Sequence, residues 1–144
     1  MIRLATAALL LATATGFAAP VPKEVRKPDS LDGVWEVTSI EIFGRPGAIP
    51  MKQRWKIENN AITVEQSVPN AAARFLPPIA IKVNGAAKPR ALDYNTGAAV
   101  PRAAIYEVDG DTLKIMMNMR GAERPKDMKP DDSSVLYVFK RVKE

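Results

Sequence analysis

Residues 53–66, QRWKIENNAITVEQ, alternate apolar and polar side chains on both sides of an Asn59-Asn60 pair. A period of two places alternate side chains on opposite faces of a β-strand, which leaves one face free to be buried. Asparagine tolerates positive φ, so the pair predicts a tight hairpin turn between two strands. The apolar positions of this hairpin share one face: Trp55, Ile57, Ile62 and Val64.

The same period recurs along most of the chain after residue 30. Asp109-Gly110 lies between two runs of strand-forming residues, which is the strongest short hairpin signal. The remaining apolar faces are Ile79, Ile81 and Val83, then Leu92 and Tyr94, then Leu113, Ile115 and Met117, and finally Tyr137 and Phe139. Residues 67–78 break the rhythm and predict a longer loop with one helical turn. About eight short antiparallel strands without a long amphipathic helix predict an all-β barrel or sandwich.

The first strand contains an irregularity. Trp35 and Val37 share one face, whereas Ile40 and Ile42 fall on the other. A β-bulge near Thr38-Ser39 would bring both pairs inward, and bulges are one way in which a strand bends around a barrel. The alternative is that Ile40 and Ile42 contact a different surface, such as the N-terminal segment. We expect the bulge.

The N-terminal segment differs in composition from the rest. Residues 1–18 combine Arg3, an uncharged Ala/Leu-rich run and small residues at 16 and 18, the layout of a secretory signal peptide cleaved after Ala18. The alternative is an uncleaved anchor, but the apolar run is shorter than the ~20 residues that a spanning helix needs. Residues 19–30 contain three prolines and predict an extended tether, and residues 31–144 form the folded domain. The sequence therefore predicts an extracytoplasmic protein with no membrane span after cleavage.

Two missing residue types exclude several chemistries. The chain has no cysteine, so disulfides and thiolate chemistry are impossible, and no histidine, which removes the commonest general base and metal ligand. The net charge of +5 comes from scattered cations, which argues against nucleic-acid binding. We expect no cofactor and no metal.

Gly33-Val34-Trp35 is similar to the Gly-X-Trp motif on the first strand of lipocalins, and Arg141 matches the last-strand arginine that packs across that tryptophan. Other segments extend the match: LDGVWEVTSIEIFGRP, KPRALDY, AIYEVDGDTLKI, GAERPKDM and VFKRVK. Over residues 31–143 the chain resembles a family of lipocalin-like domains of unknown function found in secreted planctomycete proteins. The resemblance implies an up-and-down barrel with Gly33, Trp35 and Arg141 closing one end. It implies no established ligand or reaction.

The barrel interior is the first candidate site. It would be lined by Trp55, Ile57, Tyr94, Leu113, Ile115, Met117, Tyr137 and Phe139, with Ile62, Val64, Ile81 and Leu92 beside them. An eight-stranded barrel either holds one small molecule or is filled by its own side chains. The sequence leaves both open: a domain that binds a small apolar or amphipathic molecule, or a structural domain that contacts another envelope protein. In either case we expect a monomer without enzymatic activity.

Charged residues give weaker candidates. Asp109 and Asp111 flank the hairpin glycine, and turn aspartates usually bond nearby backbone N–H groups rather than act in catalysis. The same applies to Asp131-Asp132 before the last strand. The Glu123-Arg124-Pro125 motif predicts either a recognition loop or a salt-bridged turn, with Arg124 reaching the outward-facing Asp93.

The leader makes a direct prediction. Residues 1–24 fused to a reporter that is active only outside the cytoplasm should export it, and the mature protein should begin near Ala19. N-terminal sequencing of the exported protein measures this. A mature protein that still begins at Met1 would contradict the secretory interpretation.

Overall fold

The structure, a computed structural model, describes residues 30–143, so the predicted signal peptide and nearly all of the predicted tether lie outside the described residues. The described part is all-β and contains no α-helix. In chain order its strands are β1 (Gly33–Ile42), β2 (Arg45–Gly47), β3 (Lys52–Glu58), β4 (Ala61–Ser67), β5 (Arg74–Phe75), β6 (Ile79–Asn84), β7 (Ala91–Asn95), β8 (Arg102–Asp109), β9 (Thr112–Asn118) and β10 (Ser134–Arg141).

Eight of these strands form a closed antiparallel barrel in up-and-down order. Each long strand pairs with the next one along the chain, and β10 pairs with β1 to complete the ring. The short strands β2 and β5 add to β1 and β4 at the edge of the ring. The predicted fold class is therefore confirmed. The helical turn expected within residues 67–78 was wrong, since that segment contains β5 instead.

The two ends of the barrel differ in their connections. At one end, called here the closed end, short turns follow β3, β6 and β8, and residues 30–32 cross beneath the strands. At the other, the open end, longer connections run over residues 43–51, 68–78, 96–101 and 119–133. Among residues 30–143 no helix is long and apolar enough to span a membrane.

The predicted bulge in β1 is present. The pairing with β10 shifts between Val37 and Ser39, and the hydroxyl of the extra residue, Thr38, donates to the carbonyl of Val138 at 3.1 Å. The shift returns Ile40 to the interior, where it is buried. Ile42 was expected to follow but is 40% exposed, because β1 by then has reached the open end and pairs with β2.

Two hairpin turns follow the sequence signals. Asn59 and Asn60 both have positive φ, 51° and 58°, the conformation that a two-residue hairpin loop needs to match the twist of its strands. Gly110 has φ 55° between Asp109 and Asp111. Local chemistry therefore sets the register of both hairpins.

The barrel has a large inner core and a small outer one. The inner side chains of all eight strands form one buried cluster. On the outside, Ile105, Met116 and Leu136 are buried beneath Met128 of the 119–133 loop. These outward-facing apolar residues explain why the sequences of β8 and β9 are apolar on both faces of the strand.

Gly110 supplies a test of the hairpin geometry. Gly110→Val should lower the free energy of unfolding by about 1 kcal/mol or more, because a β-branched residue resists positive φ. A Cβ at this position would meet no atom within 4 Å, so the cost is one of backbone conformation. Urea unfolding of both proteins measures the difference.

Gly121→Val is the matched control, because Gly121 lies in an exposed loop without left-handed φ and a Cβ there would make ordinary contacts. It should leave stability nearly unchanged. Equal losses in both variants would show that the cost at residue 110 does not come from the turn.

Candidate functional site

The structure brings the eight predicted lining residues together inside the barrel. Seven are buried, and Tyr137 is half-buried and packed against the others. Leu113, Ile115 and Phe139 have no accessible surface at all. A side chain with no accessible surface borders no void large enough for a water molecule, so the interior around these residues is filled by protein atoms.

Three aromatic rings occupy the middle of the interior. The ring centroid of Trp55 lies 5.2 Å from that of Tyr137 and 4.9 Å from that of Phe139, in tilted and edge-on arrangements that aromatic pairs favour. Burial raises the pKa of the Tyr137 and Tyr94 hydroxyls above the usual value for tyrosine. The indole N–H of Trp55 is buried without a hydrogen-bond partner among the described residues.

The sequence analysis missed part of this interior. Ala104, Tyr106 and Val135 also belong to the buried cluster. Ala104, Tyr106 and Val108 recur with a period of two and so share one face of the strand. Ile105 lies on the opposite face and is equally apolar. The pattern alone therefore does not say which face of β8 points inward.

Trp35 and Arg141 close one end of the barrel. Trp35 is completely buried, and the guanidinium carbon of Arg141 lies 4.0 Å from the centroid of its ring. The two residues are also direct partners in the β1–β10 ladder. This is the arrangement that the sequence predicts. Gly33, two residues before Trp35, has φ 137°, a conformation that favours glycine.

The same two side chains hold the chain segment that enters the barrel. The indole N–H of Trp35 donates to the carbonyl of Leu31 at 2.8 Å, and Arg141 donates to the carbonyls of Asp32 at 2.8 Å and Ser30 at 3.2 Å. Three consecutive carbonyls are thus satisfied at the closed end. These three hydrogen bonds use the side chains of Trp35 and Arg141 to satisfy the protein's own backbone, which accounts for both residues as parts of the fold.

Arg124 lies on the outer wall, as predicted from its motif. Its guanidinium pairs with the carboxylate of Asp93 and donates to the carbonyls of Ala104 at 2.7 Å and Leu92 at 3.3 Å. These contacts fix the 119–133 loop against β7 and β8. Glu123 is exposed beside it. The salt-bridged turn is therefore present.

The carboxylates considered for catalysis serve turns and chain ends. Asp131 accepts hydrogen bonds from the backbone N–H and hydroxyl of Ser133, which hold the pKa of its carboxyl below the usual range. Asp111 pairs with Lys143 at 3.0 Å, and this contact lowers its pKa. Within residues 30–143, no group of three or more acidic side chains is placed to hold a metal ion.

Comparison with known proteins adds no relative: no family model matches the chain, and neither the curated proteins nor the solved structures contain a match.

A double-mutant cycle tests the closed end. Trp35→Ala should cost about 3–5 kcal/mol of stability, because it removes a large buried side chain. Arg141→Lys should cost less: the stacking contribution, ~0.5–2 kcal/mol, together with the part of the bonding to the carbonyls of Asp32 and Ser30 that lysine does not reproduce. The double variant should lose less than the sum, since the two side chains contact each other, and denaturant unfolding of all four proteins measures this.

Arg124→Lys is the matched control. It makes the same substitution on the outer wall of β7 and β8, where the arginine shares no partner with Trp35. In the double variant Trp35→Ala/Arg124→Lys, the loss in free energy of unfolding should equal the sum of the losses in the two single variants. Strict additivity for both pairs would contradict the closure interpretation.

Proposed function

We propose that this chain is an exported, non-enzymatic domain of the lipocalin-like kind that works through its outer surface, as a structural or interaction domain of the cell envelope. Its barrel provides the scaffold, and its connections at the open end provide the contact surface. The leader-like residues 1–18 support export, and the motif around Gly33, Trp35 and Arg141 supports the lipocalin-like relationship.

One observation carries the choice of the outer surface over the interior. A site for a small organic molecule is a cavity of roughly 300–1,000 Å³. The side chains of Leu113, Ile115 and Phe139, which would line such a cavity here, have no accessible surface. Their surroundings are packed in the way that a protein core is packed, which supports a stabilising role for this part of the interior.

The absence of enzymatic activity in this proposal rests on how the polar groups are used. Asp93, Asp111 and Asp131 are each engaged in an ion pair or a turn that accounts for their position. General acid–base catalysis requires groups that converge on one pocket with separated pKa values. These three carboxylates lie on separate parts of the outer surface.

A second candidate function is binding of a small amphipathic molecule in the half of the barrel interior that is nearer the open end. The buried indole N–H of Trp55 favours it, because a buried donor without an acceptor is costly and a ligand oxygen would satisfy it. Tyr137, half-buried beside Trp55, adds a hydroxyl near the same place. This alternative requires the aromatic side chains to move apart.

Native mass spectrometry of the exported protein separates the two functions. A filled interior predicts the mass of the polypeptide alone, and no enhancement of fluorescence when an apolar dye is added. A stoichiometric co-purified lipid or pigment would contradict the surface-acting proposal and support the second candidate.

Phe139→Ala provides the positive control for this experiment. It removes a large side chain with no accessible surface, and the cavity left in an apolar core is able to bind small apolar molecules. This variant should gain dye binding where the parent protein has none. The gain would show that the measurement detects a cavity in this barrel.

A further inference from the structure

The exposed apolar side chains of the described residues concentrate at the open end. Only one large hydrophobic side chain exposed among residues 30–143, Val83, lies away from that end, on the part of β6 that approaches the closed end. Phe75 and Val100 are 66% and 63% exposed. The others at the open end are Ile42, Phe43, Val68 and Met119.

These side chains come from four separate connections at the open end of the barrel. Phe43 belongs to the connection after β1, Phe75 to that after β4, Val100 to that after β7 and Met119 to that after β9. Neighbouring connections contact one another: the guanidinium of Arg120 lies 4.9 Å from the centroid of the Phe43 ring. Apolar side chains on four connections at one end of a barrel are available to a partner that covers that end.

The charge of this rim is predominantly positive. We define the rim as residues 43–51, 68–78, 96–102, 119–122 and 130–133, since the N–H groups of Phe43 and Met119 donate to the carbonyls of Ser134 and Ser133. Its acidic residues are Asp131 and Asp132. Its arginines are Arg45, Arg74, Arg102 and Arg120. Three of them are exposed, and Arg102 is half-buried where it donates to the carbonyl of Met119 at 3.1 Å.

The closed end has no such excess. Its cations Lys88, Arg90, Arg141 and Lys143 are matched by Asp32, Glu58, Asp109 and Asp111. The arginines of the rim are far apart in the sequence, but they lie at the same end of the barrel because their four connections are all at the open end. Clustering of charge on one face favours an anionic partner.

We propose that the rim docks this domain on the surface of a membrane that contains anionic phospholipids. This inference rests on the proposed function, in which the outer surface acts. Arg45, Arg74 and Arg120 pair with lipid phosphates, for which the planar guanidinium is suited. Phe43 and Phe75 enter the boundary between headgroups and acyl chains, which accepts apolar side chains flanked by cations. A membrane surface matches both the positive charge of the rim and its exposed apolar side chains.

Sedimentation with vesicles tests the proposal on the chain from Ala19 onward. Vesicles of phosphatidylcholine alone are compared with vesicles containing about one-third phosphatidylglycerol, an anionic lipid. The protein should sediment only with the anionic vesicles. Binding should weaken between about 0.1 M and about 1 M salt, as the screening length falls from ~10 to ~3 Å. The basic residues of the N-terminal segment, Lys23, Arg26 and Lys27, are replaced by glutamine throughout so that they do not contribute.

Paired variants locate the contact. Arg45→Gln and Arg74→Gln should each weaken vesicle binding about fivefold, whereas Lys82→Gln and Lys88→Gln, exposed away from the rim, should not. Phe75→Ser should weaken it about tenfold, and Val83→Ser is its matched control. Equal losses in the rim and control variants would overturn the proposal.

A fluorescent label gives the orientation independently, because the chain has no cysteine of its own. Val100→Cys and Lys88→Cys place an environment-sensitive dye at the open and closed ends. Anionic vesicles should shift only the emission of the label at residue 100. Absence of vesicle binding, or tighter binding to an acidic peptide or to DNA than to the vesicles, would overturn membrane docking. Such a result would not by itself contradict the proposed surface-acting function, which is tested separately by native mass spectrometry of the parent protein.

Discussion

The contact between Arg141 and Trp35 is the interaction on which the rest of this structure depends. A barrel of antiparallel strands is closed only where its first and last strands pair, and these two residues are partners in that ladder. Trp35 fills the end of the barrel, and Arg141 covers its ring while bonding the backbone that enters beneath it. One pair of side chains thus joins both ends of the domain and completes the inner core.

The tight packing around Phe139 and Ile115 is what stabilises the barrel. These side chains belong to the buried cluster that joins all eight strands. Because the chain has no cysteine, no disulfide adds to the stability that this core and the backbone hydrogen bonds provide.

The long 119–133 loop packs against the outer face of the barrel wall. Met128 covers apolar side chains on the outside of β8, β9 and β10, and Arg124 bonds the carbonyls of β7 and β8. The loop is therefore attached to the outer wall at Arg124 and Met128. Its first residues, Met119 and Arg120, lie at the open end. There Arg120 lies over the ring of Phe43, which belongs to the connection after β1.

The sequence by itself determined the eight strands of the barrel, the hairpins at Asn59-Asn60 and Asp109-Gly110, and the bulge near Thr38-Ser39, because each depends on alternation and turn chemistry within a few residues. It also indicated the pairs Trp35–Arg141 and Asp93–Arg124, through residues that resemble a known pattern. It did not indicate the short strands β2 and β5. Only the tertiary structure decided whether the interior is filled, because that depends on how side-chain volumes from eight strands fit together. The same holds for the arginine-rich rim: its members are scattered in sequence, and closure of the barrel brings them to one end.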